Sequence, residues 1–213
     1  MIELEKRLPL TRPMDRRTLL GSAAAAVVAA GIARFGGVDL VVNNAGATKR
    51  GDFFALTDED FADGFALKYF AHVRLLRAAW PWLVRSAGCV VQIIGVGGRT
   101  PGAEFAIGGS VNAALMALTK TMAARGIADG VRVCAVNPGS IATERLERRI
   151  AAVAAERAID RDGAAASLAE SLGVPRFGTP EEIAAVVAFL ASPRAAFVQG
   201  AIVDVDGGAT RTL

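Results

Sequence analysis

Lys68 is the side chain whose setting most favours acid–base chemistry. It lies seven residues after Phe61 and three after Phe65, on the face of a predicted helix that these rings would bury. A lysine removed from water has a lowered pKa and can exchange a proton near neutral pH. The alternative is a lysine whose stem passes the rings and whose ammonium group reaches water. We expect the second interpretation, because a position on one helix face is weak evidence for burial.

Other nucleophilic and metal-binding side chains are few. His72 is the only histidine, so neither a clustered metal site nor a Ser-His-acid triad has enough parts. Cys89 and Cys134 both lie in short apolar runs, where a thiol behaves as a small hydrophobic group. This placement argues against a disulfide framework. We therefore expect no metal site.

Two further segments could bind a ligand. Gly95-Val96-Gly97-Gly98-Arg99 follows an apolar run, but a G-x-G-x-x-G turn would need glycine at Thr100, and Pro101 prevents a helix from starting there. Ser110 and Asn112 stand at the start of a predicted helix, where either could hold a polar ligand. Ser110 is also a good N-cap, and we expect that role.

An alternation of apolar strands and amphipathic helices positions these residues. Such an alternation is typical of parallel strands joined by helical crossovers, and it predicts an α/β fold. Thr57 opens a capping box at the start of the helix that carries Lys68, and Pro81 should bend or end that helix. The predicted strands are residues 39–43, 89–94, 131–136 and 201–205, and further helices are predicted over 14–34, over 110–125 and from Thr179.

The composition fits one domain that handles neither nucleic acid nor a bilayer. The 213 residues are 53% hydrophobic and carry a net charge of +3, with basic and acidic residues interspersed. No apolar run reaches the roughly 18 residues that a membrane span needs. Arg16-Arg17 and the alanines that follow resemble a twin-arginine export signal, but they run straight into a buried strand. We expect an alanine-rich helix in a cytoplasmic protein.

Four segments fit one protein family in the right order. Asn43-Asn44-Ala45-Gly46 closes the first predicted strand, and Asn137-Pro138-Gly139 closes the third. Gly178-Thr179-Pro180-Glu181-Glu182 and Val205-Asp206-Gly207-Gly208 follow towards the end of the chain. With these motifs, residues 14–208 resemble the short-chain dehydrogenase/reductase family.

The resemblance implies a single domain over residues 1–213 with a Rossmann-like, doubly wound parallel sheet. The family's first strand-helix-strand unit is missing from the sequence, because that unit takes about 30 residues or more and the Asn-Asn-Ala-Gly motif already begins at Asn43. We predict an irregular segment over residues 1–13, in which Ile2 to Leu10 could form a lone strand. Residues 144–173 are predicted to be helices that cover a substrate pocket.

NAD or NADP is the cofactor that the resemblance implies, bound at the carboxyl ends of the strands. The two segments that match the family's cofactor-binding positions, residues 44–46 and 138–143, also fit plain turns that leave a strand. The glycine-rich turn that brings backbone N–H groups to the pyrophosphate is absent, which argues against binding. The matching residues are Asn44, Ala45 and Gly46 for the adenosine part and Pro138, Gly139, Ile141 and Thr143 for the nicotinamide carboxamide.

The catalytic tetrad of the family is replaced in this sequence. In the family, a tyrosine donates the proton and a lysine one helical turn later lowers its pKa. Glycine cannot donate a proton, so the usual mechanism is unavailable, and the only tyrosine, Tyr69, is followed four residues later by Val73. The residues at the tyrosine, lysine, serine and asparagine positions are Gly108, Asn112, Gly95 and Lys68.

Three functional hypotheses remain open. The chain is an NAD(P)-dependent oxidoreductase that acts on a CH-OH or carbonyl group of a small molecule through other residues. Alternatively, it is a pseudoenzyme, an inactive scaffold that serves as a partner subunit or ligand-binding module. The third hypothesis is a truncated gene product. We also expect a homo-oligomer, because family members commonly pair through two long helices and because the strand at 39–43 would otherwise leave an unpaired edge.

Overall fold

Four parallel strands form one sheet. The computed structural model describes residues 16–211, with side chains from residue 23 onward. The predicted α/β class and the four predicted strands are confirmed. In sheet order the strands are β1 (Leu40–Asn43), β2 (Cys89–Ile93), β3 (Arg132–Pro138) and β4 (Ile202–Val205). The helices are α1 (Arg16–Phe35), α2 (Asp58–Gly64), α3 (Ala71–Ser86), α4 (Ala106–Asp129), α5 (Glu144–Arg157), α6 (Arg161–Ser171) and α7 (Pro180–Ala191).

Helices cover both faces of the sheet. On one face α3 and α4 bury Val90 and Val133, and α1 packs against α3. On the other face α7 places Leu190 against Cys89 and Cys134, whose thiols are free and buried as predicted. The central strands are therefore buried on both sides, as expected for a parallel sheet.

One helical run carries Lys68. Its capping box forms as predicted: the Asp60 N–H donates to Thr57 Oγ1 at 3.2 Å and the Thr57 N–H donates to the Asp60 carboxylate at 3.1 Å. A π-helical segment, Phe65–Phe70, links α2 to α3. The helix does not end at Pro81, because α3 continues to Ser86 with Leu83 of the next turn fully buried.

The start of α4 differs from the prediction. The helix begins at Ala106, so Ser110 lies inside it and the predicted cap role is wrong. Gly108 and Gly109 favour helix poorly, which is why the sequence pattern placed the start too late. Packing overrides that preference, because both glycines are buried and a Cβ on Gly109 would lie 2.8 Å from Pro101 Cβ.

The two ends of the described chain agree with the predicted elements. The first described residue, Arg16, starts α1, and the predicted strand at Ile2 to Leu10 and the irregular segment at 1–13 lie outside the described residues.

Residues 144–173 form the helices α5 and α6, which pack together through Ile150 and Leu168. Their role as a pocket cover remains a prediction. None of the described helices combines the length and apolar character needed to span a bilayer.

β1 has one strand partner among the described residues. It pairs with β2 in the register Leu40 to Cys89 and Val42 to Val91. Leu40 and Val42 are 42% and 40% exposed, whereas the residues between and after them are buried. The face of β1 on the α7 side is therefore open in the described part of the chain.

Substitution of Gly126 tests how tightly α4 is packed, and Gly31 in α1 is the control position. A Cβ at Gly126 would overlap the Val131 carbonyl, while a Cβ at Gly31 in α1 meets nothing within 4 Å. We expect Gly126→Ala to lower the free energy of unfolding by about 3 kcal/mol. Gly31→Ala should raise it by about 0.5 to 1 kcal/mol through helix propensity. Urea unfolding of both variants measures the difference, and equal effects would contradict this packing.

Candidate functional site

The Lys68 amine lies at the carboxyl edge of the sheet, largely removed from water. It donates to the Ile94 carbonyl and to Asn112 Oδ1, both at 2.6 Å. The lysine stem packs under Gly46, where a Cβ would come within 2.8 Å of Lys68 Cδ. Burial, and secondarily the charge of Arg145, lowers the pKa of Lys68 to about 8. The expectation of a lysine whose ammonium group reaches water is therefore wrong, because the amine is bonded to Ile94 O and Asn112 Oδ1 instead.

Lys68 and Asn112 are hydrogen-bonded to each other at 2.6 Å. The family resemblance implies an asparagine at position 68 and a lysine at position 112. The structure brings the two side chains into contact across 44 residues of sequence. Sequence reasoning named both residues but missed the pairing. The signal that could have found it is that each substitution complements the other.

Asn112 is held in one orientation by β-strand ends. Its Nδ2 donates to the Gly95 carbonyl at 3.2 Å, which leaves Oδ1 free to accept from the lysine. The Gly95 N–H donates to Asn137 Oδ1 at 3.3 Å, and Asn137 Nδ2 donates to Asp204 Oδ1 at 2.8 Å. Gly95 has a φ of +126°, a conformation that any other residue would adopt only with strain. The predicted serine position is therefore a backbone position that favours glycine.

The ring of Phe105 closes the space above Gly108. A Cβ on Gly108 would overlap this ring, and a Cβ on Gly97 would come within 2.6 Å of it. Arg50 stacks on the ring with its guanidinium carbon 4.2 Å from the centroid. A tyrosine at position 108 would have to displace the ring. Sequence reasoning missed Phe105, although an aromatic residue three positions before a helix glycine was a usable signal.

The turn after β1 is supported from beneath by His72. The Ala45 carbonyl can only accept, so His72 Nε2 carries a proton and donates to it at 3.1 Å. Gln92 Oε1 accepts from Asn43 Nδ2 at 2.9 Å in the same buried network. Burial of the ring lowers the pKa of His72 to about 4, so the ring is neutral. Asn44 is exposed at the carboxyl end of the strand.

The backbone after β3 leaves several donors open, among them the Ile141 N–H. Gly139 packs closely on β4, where its Cβ would lie 2.7 Å from Asp206 Cβ. Ile141 forms a parallel bridge with Gly178, and its carbonyl accepts from Thr143 Oγ1 at 3.3 Å. The Ile141 N–H has no protein partner within residues 16–211. An adjoining cavity of about 160 Å³ is lined by Ser140, Ile141, Arg176, Gly178, Glu182 and Asp206, among others.

A nicotinamide dinucleotide fits part of this edge of the sheet. The open Ile141 N–H can donate to a carboxamide, and the exposed Asn44 can meet a ribose. The glycine turn after β2 does not direct its N–H groups towards a phosphate. The Gly98 N–H bonds the Gly95 carbonyl at 3.3 Å and the Arg99 N–H bonds the Val96 carbonyl at 2.8 Å inside their own turn.

Sequence comparison relates the chain to reductases. Residues 21–210 match the family described as Enoyl-(Acyl carrier protein) reductase. An uncharacterized oxidoreductase of Mycobacterium tuberculosis is 36% identical over 181 residues, covering 84% of this chain and 65% of that protein. A 3-oxoacyl-[acyl-carrier-protein] reductase of Vibrio cholerae is 33% identical over 175 residues, covering 82% and 67%. The chain thus spans about two thirds of the length of these relatives.

Solved structures of a reductase and an oxidoreductase also resemble this chain. L-sorbose reductase from Gluconobacter frateurii, complexed with NADPH and L-sorbose, has a TM-score of 0.86 at 32% identity, covering 94% of this chain and 76% of that one. An NADPH-bound short chain oxidoreductase from Pseudomonas aeruginosa, containing an atypical catalytic center, has a TM-score of 0.81 at 28% identity, covering 91% and 74%. Both contain NADPH in their crystal structures.

The lowered pKa of Lys68 can be measured directly. We expect the side-chain ¹⁵N resonance that disappears in Lys68→Met to titrate with a midpoint of about 8, because burial disfavours the charged amine. NMR of ¹⁵N-lysine-labelled protein between pH 6 and pH 11 gives this midpoint. A midpoint at the ordinary lysine value of 10.5 would contradict the buried site.

His72 makes stability depend on pH in a defined window. The unfolded chain binds a proton at His72 below pH 6.5, whereas the native ring does so only below about 4. The free energy of unfolding should therefore fall as the pH drops from 6.5 to 4, by up to about 3 kcal/mol. In His72→Gln this part of the loss should disappear. Urea unfolding at several pH values compares the two proteins, and parallel profiles would contradict the prediction.

Proposed function

Because the chain belongs to the short-chain dehydrogenase/reductase family, we propose that it is an NAD(P)-dependent oxidoreductase that reduces a small carbonyl compound, with Lys68 as the proton donor. The observation that carries the proposal is the desolvated amine of Lys68, bonded to Asn112 at 2.6 Å beside the strand ends. A group with a pKa of about 8 is charged at neutral pH and still able to release its proton.

The Lys68 ammonium group has protons that are bonded to the protein and one that is not. An ammonium group has three N–H donors, and Ile94 O and Asn112 Oδ1 take two of them. The third is available to a substrate oxygen. When bound, a nicotinamide cofactor supplies the hydride that adds to the carbonyl carbon. Lys68 gives its third proton to the oxygen, becomes a neutral amine that keeps both protein hydrogen bonds, and is reprotonated by solvent.

Residues at two strand ends would hold the cofactor. Ile141 N–H suits the carboxamide, and Asn44, Ala45 and Gly46 suit the adenosine side. The NADPH in the L-sorbose reductase and in the oxidoreductase with an atypical center supports this choice of cofactor class. Lys68 then takes the place of the family's tyrosine as acid, since Gly108 has no side chain.

A second candidate function is a ligand-binding module without turnover. It is favoured by Phe105, whose ring fills the space above Gly108, and by the absence of a hydroxyl at Gly95. In that case Lys68 and Asn112 would bind a polar ligand without proton transfer. The two candidates differ in one measurable property, which is conversion of a carbonyl substrate.

We extend the proposal to the setting of the protein. We propose a cytoplasmic homo-oligomer that pairs through the faces around Phe65 to Leu76 and Leu115 to Met122, as is common in the family. Sedimentation of the purified protein measures the state of association.

Lys68→Met tests the proposed proton transfer. Cofactor affinity should change by less than about threefold, while reduction of a ketone should slow by at least about 100-fold, the usual contribution of a general acid. Rates of the wild type should fall as the pH rises above about 8, because the ammonium form is required. Nicotinamide fluorescence measures binding, and the absorbance of NAD(P)H measures turnover against a panel of small ketones and aldehydes.

Lys120→Met is the matched control, since that amine also donates to a backbone carbonyl, Gly200 O, at 2.7 Å. Its turnover should stay within about threefold of the wild type. Cofactor binding without turnover in the wild type would favour the ligand-binding module. Turnover that persists in Lys68→Met would remove Lys68 from the mechanism.

A further inference from the structure

Three arginines lie close to one another beside the Lys68 site. Arg50 comes from the loop after β1 and stacks on Phe105. Arg145 and Arg149 lie on successive turns of α5, and Arg145 Nη2 donates to the Gly46 carbonyl at 3.3 Å. Gly46 in turn rests on the Lys68 stem, so α5 reaches over the buried amine.

None of these three arginines forms an ion pair with a carboxylate in the described part of the chain. Arg145 and Arg149 are four residues apart on one helix face, where like charges destabilise a helix. No described carboxylate lies within ion-pair distance of Arg50, Arg145 or Arg149. The contrast with the outer side of α5 is clear, because Arg148 pairs there with Glu144 at 3.6 Å.

The electrostatic setting of Arg50 agrees with this arrangement. Burial and the charges of Arg149 and Arg145 together lower its pKa, and Glu104 is the acid that acts in the opposite direction. The loop that carries Arg50 is fixed, because the Gly51 N–H donates to the Glu104 carbonyl at 3.1 Å. The three guanidinium groups are therefore close enough for their charges to repel one another.

The start of α5 contributes uncapped N–H groups, beside the Glu144 and Glu147 carboxylates of its first turn. No side chain caps this helix, since Thr143 Oγ1 donates to the Ile141 carbonyl and accepts nothing from the first-turn N–H groups. An uncapped helix N-terminus carries partial positive charge and attracts anions. The helix begins at Glu144, three residues beyond the open Ile141 N–H of the candidate cofactor edge.

We propose that Arg50, Arg145 and Arg149 bind an oxyanion, a phosphate or carboxylate group of a ligand that enters this site. Guanidinium groups match such anions with paired hydrogen bonds. The oxyanion has two possible sources, the pyrophosphate of the dinucleotide or an acidic group on the carbonyl substrate. Assigning it to a reactant rests on the proposed function, whereas the binding of the anion does not.

Titration calorimetry with inorganic pyrophosphate and with malonate, at constant ionic strength and without cofactor, tests the site. We expect saturable binding of at least one of the two anions to the wild type. Arg50→Gln and Arg149→Gln should each weaken it by about tenfold, the loss expected for one charge-assisted hydrogen-bonded pair. Arg148→Gln, the control on the same helix, should stay within about twofold.

Thermal unfolding guards against misfolded variants. Without ligand, Arg149→Gln should unfold at the same or a higher temperature than the wild type, because the substitution removes a like-charge neighbour. Absence of saturable binding by both anions, or equal weakening in Arg148→Gln, would overturn the proposal.

Competition with NADH identifies the source of the oxyanion. Displacement of bound pyrophosphate by NADH would assign the site to the dinucleotide. Simultaneous binding of NADH and malonate would assign it to the substrate. Failure of NADH to bind at all would count against the proposed function alone, because the anion is measured without it.

Discussion

The site depends on how a lysine ammonium group is kept away from water. Burying such a charge costs several kcal/mol unless its donors are satisfied, and here Ile94 O and Asn112 Oδ1 satisfy two of them. Asn112 can accept only because its other end is engaged by the Gly95 carbonyl. The stem of Lys68 needs the space above it that Gly46 leaves. One charge thus links the helix α4, the end of β2 and the turn after β1.

Much of the fold could be predicted from the sequence, because its signals are local. Short apolar runs gave the strands, and Thr57 and Thr179 opened their helices through capping boxes that the structure contains. The start of α4 was misplaced because helix propensity around Gly108 was outweighed by packing. The site was predicted less well: Lys68 and Asn112 were named separately, since a contact across 44 residues leaves no periodic pattern.

The ring of Phe105 contacts both position 108 and the guanidinium group of Arg50. The ring covers Gly108 and supports Arg50, so the same side chain that fills the tyrosine space also orients a cation beside the Lys68 site. A tyrosine at position 108 would therefore need the space that the Phe105 ring now fills beneath Arg50. Lys68 and the three arginines add positive charge beside the acids Glu104 and Asp204 of this edge, and the proposed oxyanion would bind to that charge.

Lys68 and Asn112 depend on each other for their buried hydrogen bonds, and a double-mutant cycle measures this dependence. Asn112→Lys alone should destabilise the protein strongly, because two ammonium groups would share one buried site. Adding Lys68→Asn should restore most of that loss, with a coupling free energy of at least about 2 kcal/mol in urea unfolding. Additive effects of the two substitutions, with no restoration, would contradict the account.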